Sequence, residues 1–202
     1  MKIFYSAASP YVRKCLVAAE ELGLTDKIEL LNCAAHPINR DRNIIEHNPL
    51  GQVPTFFTDD NEVLFDSFVI CSYLNELGNG KLLGDKKNYW LIMKNHSIAD
   101  GLMNAALILR YETGVRPSEL EWKDWTSGQF DKIRTAIAYF ENNIDELEGG
   151  VNLVNITLAC GLSYLDFRLG EFDWRKDAPK VAAFHKNFSE RESMRKTQFK
   201  SM

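Results

Sequence analysis

No stretch of the 202-residue chain approaches eighteen consecutive apolar residues, so a membrane-spanning helix is not expected. The opening MKIFYSAASP carries one basic residue but neither a long apolar run nor a small-residue cleavage motif, and the chain is expected to be cytoplasmic. Cysteine is sparse: Cys15, Cys33, Cys71 and Cys160 lie far apart, without the close pairs of a zinc site or the density of a disulfide framework. They read as free thiols. His36, His47, His96 and His185 show no i, i+4 pairing, which leaves a metal centre or a nucleophilic triad without sequence support. Low-complexity tracts are also missing, and 45% apolar with 26% charged residues is the composition of a chain that buries a core.

Basic charge is scarce where it matters. Residues 1–80 hold six Lys/Arg against eleven Asp/Glu, a balance of −5, while the whole chain stands at −4. Nucleic acid is therefore not an expected partner. An acidic first half does not draw in an anion by its general field, so any anion site there has to be built from local groups.

Along the chain, Lys2–Tyr5 reads as a strand, Pro10–Leu22 as a helix with Val12, Leu16, Ala19 and Leu22 on one side and Gly23 closing it. Ile28–Leu31 is a second strand, and residues 35–47 are only weakly helical. Val53–Thr58 and Glu62–Phe65 form a hairpin pattern around Asp59-Asp60-Asn61. Asp66-Ser67 then supplies cap-type residues for a helix through Leu77. From Tyr89 onward only helical periodicity recurs, in segments 91–111, 122–147, 153–169 and 178–188. The expected architecture is an α/β unit of order βαβββα over 1–77, a Gly-containing linker over 78–87, and an all-helical domain over 88–202.

Asn48-Pro49-Leu50-Gly51-Gln52-Val53-Pro54-Thr55-Phe56 resembles the turn before the third strand of glutathione transferases, where the family has a cis proline. Pro54 cannot donate to a strand ladder, and a cis bond before it would turn the backbone N–H and C=O of Val53 outward, ready to pair with an extended peptide. In the family, glutathione is bound in this way through its cysteinyl backbone. Phe65-Asp66-Ser67-Phe68-Val69-Ile70 resembles the acidic residue and serine that grip its γ-glutamyl end. A serine hydroxyl and the free N–H groups of a first helical turn suit a carboxylate, while Asp66 suits an ammonium group. That is the local anion site which an acidic domain requires. Without a ligand, the same pair is an ordinary helix cap.

Ser9-Pro10-Tyr11-Val12 occupies the loop where a thioredoxin-type redox protein has Cys-x-x-Cys, and both cysteines are missing, which argues against thiol–disulfide exchange by the protein. The resemblance is to transferases that use a serine before the proline. A hydrogen bond from Ser9 to the glutathione sulfur favours the thiolate. Lowering a thiol pKa by two units takes about 2.7 kcal/mol. A hydrogen bond to a charged group supplies about 1.5 to 3 kcal/mol and a helix N-terminus a further ~0.3 to 1, so no protein base is required. Ser6 is a rival hydroxyl. The resemblance also places Gln52 and Arg13 with the ligand-side residues, Arg13 supporting either the loop or the ligand. Cys15, about a turn and a half into the helix, is expected to face the core.

In the second domain, Asn152 to Arg168 resembles the family's buried helix, which opens with a Ser/Thr-x-x-Asp capping box. Asn152 and Asn155 stand at the two box positions, and loss of one charge-assisted bond to the cap is expected. Met103, Ala106 and Tyr111 on the first long helix are candidates for the wall of the acceptor pocket, with ordinary core packing as the alternative. The resemblance as a whole implies a homodimeric glutathione transferase, with glutathione as co-substrate and a small apolar electrophile as its partner in a detoxification-type conjugation. Two other functions use the same fold: a non-catalytic binding module, and a glutathione-dependent reductase or isomerase.

Overall fold

The computed structural model describes residues 1–200. The chain divides into two units, Met1–Leu83 together with the segment that begins at Glu192, and Gly84–Arg191.

In the first unit β1 (Lys2–Tyr5) is followed by α1 (Pro10–Glu21), β2 (Glu29–Asn32), the single turn of α2 (Arg42–Ile45), β3 (Phe56–Phe57), β4 (Val63–Leu64) and α3 (Ser67–Leu77). The sheet order among the described residues is β2-β1-β3-β4, with β1 parallel to β2 and antiparallel to β3, and β4 antiparallel to β3. This is the expected thioredoxin-like arrangement. Ile3 and Phe4 from β1, Phe56 from β3, Val12, Cys15 and Val17 from α1, and Ile70, Cys71 and Leu74 from α3 make its core. The 3.6-residue spacing of these positions along the two helices is what presents one apolar stripe of each to the sheet.

The hairpin strands are shorter than their β-rich sequences. Pro54 has no N–H to give a ladder, and Thr55 turns its hydroxyl to the carbonyl of Gln52 at 2.8 Å, so regular pairing begins at Phe56, although the Thr55 carbonyl still accepts from Phe4 N–H at 2.9 Å. Within the weakly helical 35–47 stretch only α2 forms, capped by Asp41, whose carboxylate accepts from Asn43 N–H.

The second unit comprises α4 (Tyr89–Gly114), α5 (Lys123–Asn142), α6 (Leu153–Arg168) and α7 (Pro179–Ser189). α6 is apolar on nearly every side and lies at the centre, against α4 and α7, while α5 packs on α4 and α7. A Cβ at Gly161 would stand 3.1 Å from Leu102 and Met103, so the close approach of α6 to α4 relies on glycine there. The continuous helical pattern through 122–147 breaks at Asn143, whose side-chain amide donates to the Tyr139 carbonyl at 2.7 Å, competing with the next turn of backbone. Ile144–Leu147 continues as a 3-10 turn.

The capping box of α6 corrects one expectation. Asn152 accepts from the N–H groups of Val154 and Asn155, and the Asn155 side chain accepts from Asn152 N–H at 3.0 Å. The bond to the cap is therefore kept and only its charge is gone. The amide end of Asn155 does further work that a carboxylate cannot, donating to the Leu147 carbonyl at 2.9 Å.

α8 (Glu192–Lys196) packs on α1. Ser193 donates to Glu21, Lys196 pairs with Glu20 at 2.6 Å, and the Arg13 guanidinium donates to the Met194 carbonyl at 3.1 Å and stacks on Phe199. The Arg191-Glu192-Ser193 sequence thus opens a tie back to the first unit.

Candidate functional site

The register of the sheet brings the predicted residues to one end of it. Ile3 faces Phe56, and Phe56 faces Leu64. Running β1 forward leads to the Ser6–Ser9 loop, running β3 backward leads to Pro54 and Val53, and running β4 forward leads to Asp66 and Ser67. Antiparallel pairing sends all three the same way, so the starts of α1 and α3 converge with the Val53 turn.

At that turn the Val53–Pro54 peptide is cis, as is Phe65–Asp66. The segment is braced from within. Asn48, 1% exposed, donates to Thr55 Oγ1 at 2.9 Å and to the Gln52 carbonyl at 3.2 Å, and accepts from Leu50 N–H. Gly51 has φ of 62°, in the left-handed region that favours glycine. These bonds use the carbonyl of Gln52 and leave its side chain exposed. They also leave Val53 untouched: its backbone N–H and C=O have no hydrogen-bond partner among the described residues. Asn48 and Thr55 are the residues that sequence reasoning passed over; a polar residue buried beside a proline-rich turn is their only sequence signal.

Asp66 and Ser67 divide their duties. Asp66 is exposed and caps α3, one carboxylate oxygen accepting from Phe68 N–H at 3.0 Å and Val69 N–H at 3.4 Å; the second oxygen accepts from no described residue. Ser67 is 3% exposed, yet its hydroxyl has no partner among the described residues, and its oxygen is not sealed from solvent. Polar groups this deep are ordinarily satisfied. The Ser67 carbonyl is engaged from below by the Cys15 thiol at 3.7 Å, with Cys71 4.0 Å from Cys15. Cys15 is core, as its position on the helix indicated.

Ser9 is the N-cap of α1, its oxygen accepting from Val12 N–H at 3.3 Å. The hydroxyl proton is given to no described residue, so the group keeps one donor. Ser6 accepts at its carbonyl from Ser9 N–H. Arg13 is 7% exposed and directed to the Met194 carbonyl and Thr197. Cys33, just past β2, stands at the same sheet end and donates to the Tyr5 carbonyl at 3.4 Å. Burial pushes its thiol pKa up, and the Asp41 charge adds to this against the backbone hydrogen bonds it shares with Ala35 and Tyr5, which disfavours a reactive thiolate.

The helical unit holds one Ser–His contact, Ser163 Oγ to His185 Nε2 at 2.9 Å. Arg175 lies 3.4 Å from His185 Nδ1. Guanidinium only donates, so Nδ1 accepts, Nε2 carries the proton, and the imidazole donates to Ser163. A general base needs the reverse polarity, and the pair is structural. Asp166 completes this cluster: burial raises its carboxyl pKa, but bonds from Arg175 and Trp174 outweigh that and hold it below the usual carboxylate range. Of the suggested acceptor-wall residues, Met103 and Ala106 are fully buried in the core, whereas Tyr111 is 37% exposed. Among the described residues no His/Cys/Asp/Glu group is arranged to hold a metal ion, and no helix is long and apolar enough to cross a membrane.

Residues 8–77 match the family model for the glutathione S-transferase N-terminal domain. An uncharacterized GST-like protein of Escherichia coli, YibF, is 33% identical over 204 residues, covering 98% of each chain. A glutathione transferase family member from Pseudomonas fluorescens Pf-5, solved with bound glutathione, is 37% identical over 99% of both chains with a TM-score of 0.95. A second structure from that organism, with bound S-(propanoic acid)-glutathione, is also 37% identical, covers 100% of both chains and has a TM-score of 0.91. With a sheet end built from Ser9, Val53 and Ser67 and relatives matching along its whole length, this chain belongs to the glutathione S-transferase family.

Proposed function

We propose that this protein binds glutathione at the Ser9–Val53–Ser67 end of the sheet and transfers it to a small electrophile. The observation that carries the reading is the unpartnered backbone of Val53 beside the unpartnered hydroxyl of Ser67. An extended peptide supplies what both lack: its own N–H and C=O for Val53, and a carboxylate for Ser67 and the first turn of α3. The free oxygen of Asp66 accepts from the ligand's ammonium group, Pro54 holds the turn, Gln52 lies beside the bound peptide, and Arg13 fixes α1 from behind. The relatives crystallised with glutathione and with a glutathione thioether support the same ligand here.

Ser9 donates to the glutathione sulfur. One of its lone pairs accepts from Val12 N–H, which leaves its proton for the thiolate and strengthens the donor. The N-terminus of α1 adds its positive end. The thiolate then forms a bond to the acceptor's electrophilic carbon, either displacing a leaving group with its bonding pair or, in an addition, pushing the π pair of a double bond onto the neighbouring atom, which takes a proton from water. A redox role finds no support in Cys33, whose thiol is held protonated. The outer face of α3 leaves Val69 and Leu77 exposed next to a depression of about 740 Å³ lined by Leu64, Tyr73 and Leu83, and a second copy of the chain covering this face gives a cytoplasmic homodimer.

Titration calorimetry with glutathione, followed by thiol-consumption assays across a panel of electrophiles, tests this. Saturable heat together with turnover is expected. Binding without turnover reduces the protein to a binding module, and no heat at millimolar glutathione removes the assignment.

A further inference from the structure

Between α4 and α5 the chain turns large apolar side chains to solvent. Leu120 is 60% exposed, Trp122 63% and Trp125 42%, and the two indoles, three residues apart at the start of α5, lie within 18° of parallel with ring centroids 6.4 Å apart. The segment that carries them is held in place. Glu112, buried near the end of α4, accepts from Trp122 N–H at 3.2 Å and pairs with Arg116 at 2.8 Å. Leu120 N–H donates to the Pro117 carbonyl at 2.9 Å, and Thr126 N–H to the Trp122 carbonyl at 3.1 Å. A cluster of exposed apolar side chains on a fixed support marks a surface that another molecule covers. The charge around it has one sign. From Glu112 to Trp125 the chain carries four carboxylates and two cations, and both cations are taken, Arg116 by Glu112 and Lys123 by Glu121 at 2.6 Å. The carboxylates of Glu119 and Asp124 are exposed and have no partner among the described residues. Each directly precedes a member of the cluster, Leu120 and Trp125.

We propose that Leu120, Trp122 and Trp125, with Glu119 and Asp124, form a docking surface for an arginine-bearing peptide segment of a partner protein. The two sides are complementary in charge and in shape. An indole face attracts a cation, and a guanidinium is flat enough to stack on it and less strongly hydrated than an ammonium. The unpaired carboxylates supply the opposite charge beside the rings, and Leu120 takes the methylene stem of the arginine. Tryptophan and arginine are also the residues in which binding energy concentrates at interfaces. A small cation is the poorer occupant, because side chains this exposed do not enclose a ligand as a small-molecule site does. A bilayer is poorer too, since an anionic leaflet repels Glu119 and Asp124. The brace from Glu112 holds the backbone of Trp122 in position before any partner arrives, so little ordering is left to be lost on binding. The surface is built entirely from the helical unit and stands whether or not glutathione is transferred.

The test titrates the full-length protein with a blocked hexapeptide alternating arginine and alanine, and with its lysine counterpart, by calorimetry and by the NMR signals of the indole N–H groups. Saturable binding of the arginine peptide is expected, tighter than that of the lysine peptide, with the Trp122 and Trp125 signals shifting and that of Trp90, an exposed indole at the other end of α4, unmoved. Trp122→Ala with Trp125→Ala is expected to weaken the arginine peptide about tenfold or more, Glu119→Gln with Asp124→Asn to weaken it severalfold, and Trp90→Ala to leave it unchanged. The tryptophan variants separate docking from attraction by the overall charge of −4, which they do not alter. No saturable binding at millimolar arginine peptide, or equal binding in wild type and the tryptophan variants, overturns the proposal. Two further outcomes overturn it by naming another occupant: an assembly of the wild type that sedimentation shows to fall apart in the tryptophan variants makes the patch a contact between copies, and binding to phosphatidylcholine vesicles that those variants lose makes it a membrane contact.

Discussion

Ser67 and Asp66 sit side by side at the start of α3, and removing them should have opposite consequences. The Ser67 hydroxyl bonds to nothing described in the protein, so Ser67→Ala is expected to change stability by no more than about 0.5 kcal/mol while weakening glutathione roughly tenfold or more, read by denaturation and calorimetry on the same sample. Asp66→Ala loses the cap to Phe68 and Val69 and is expected to cost about 1 kcal/mol; Asp66→Asn keeps the cap, and therefore the stability, but weakens the ligand's ammonium contact. In the proposed reaction Ser9 combines both duties. Ser9→Ala should destabilise α1 by about 1 kcal/mol and raise the pH midpoint of transfer by about one to two units. The sign follows from the thiolate: losing a donor to the charged form raises its pKa, so activity appears at higher pH. Ser9→Thr keeps the hydroxyl and should keep the midpoint. A pH profile identical in Ser9→Ala and wild type would take Ser9 out of the mechanism.

For single elements, the α6 cap separates charge from geometry. Asn155→Ala removes the bonds to Asn152 N–H and the Leu147 carbonyl at a residue 2% exposed, and should cost about 2 to 3 kcal/mol by urea unfolding. Asn155→Asp, which writes the family's acidic residue back in, is expected not to stabilise the protein: it regains a charged acceptor for the cap but faces the Leu147 carbonyl with an oxygen in place of a donor. A gain above 1 kcal/mol in that variant would show that the Leu147 contact is expendable. The helices themselves were readable from apolar spacing, including the starts at Pro10 and Ser67 and the stop at Gly23. The break at Asn143 was not, because a side chain that diverts a carbonyl leaves no mark in periodicity.

The whole molecule depends on a tie that runs from one end of the chain to the other. α8 gives the first unit a carbonyl for Arg13, a hydroxyl for Glu21 and an ammonium for Glu20. Ending the chain after Arg191 is therefore expected to take the Met194 carbonyl away from the buried Arg13 and destabilise the first unit by about 2 to 4 kcal/mol, measured by thermal or urea unfolding, while the helical unit keeps its own core. Unchanged stability after that truncation would mean that water serves Arg13 equally well.

Local chemistry was legible in the amino-acid order alone. A proline preceding a short β-rich run, an acidic residue and serine preceding a helix, a serine in place of a redox cysteine and the family resemblance they carry all depend on neighbours in the chain. The acidic balance likewise demanded a locally built anion site. Only the tertiary structure decided which groups were left without partners. That Val53, Ser67 and the Ser9 proton are all free, whereas Arg13 is occupied and Met103 and Ala106 are core, follows from sheet register and helix packing over tens to nearly two hundred residues of separation. Hydrogen-bond satisfaction is a property of the folded whole, and a site is made of the groups that folding leaves unsatisfied.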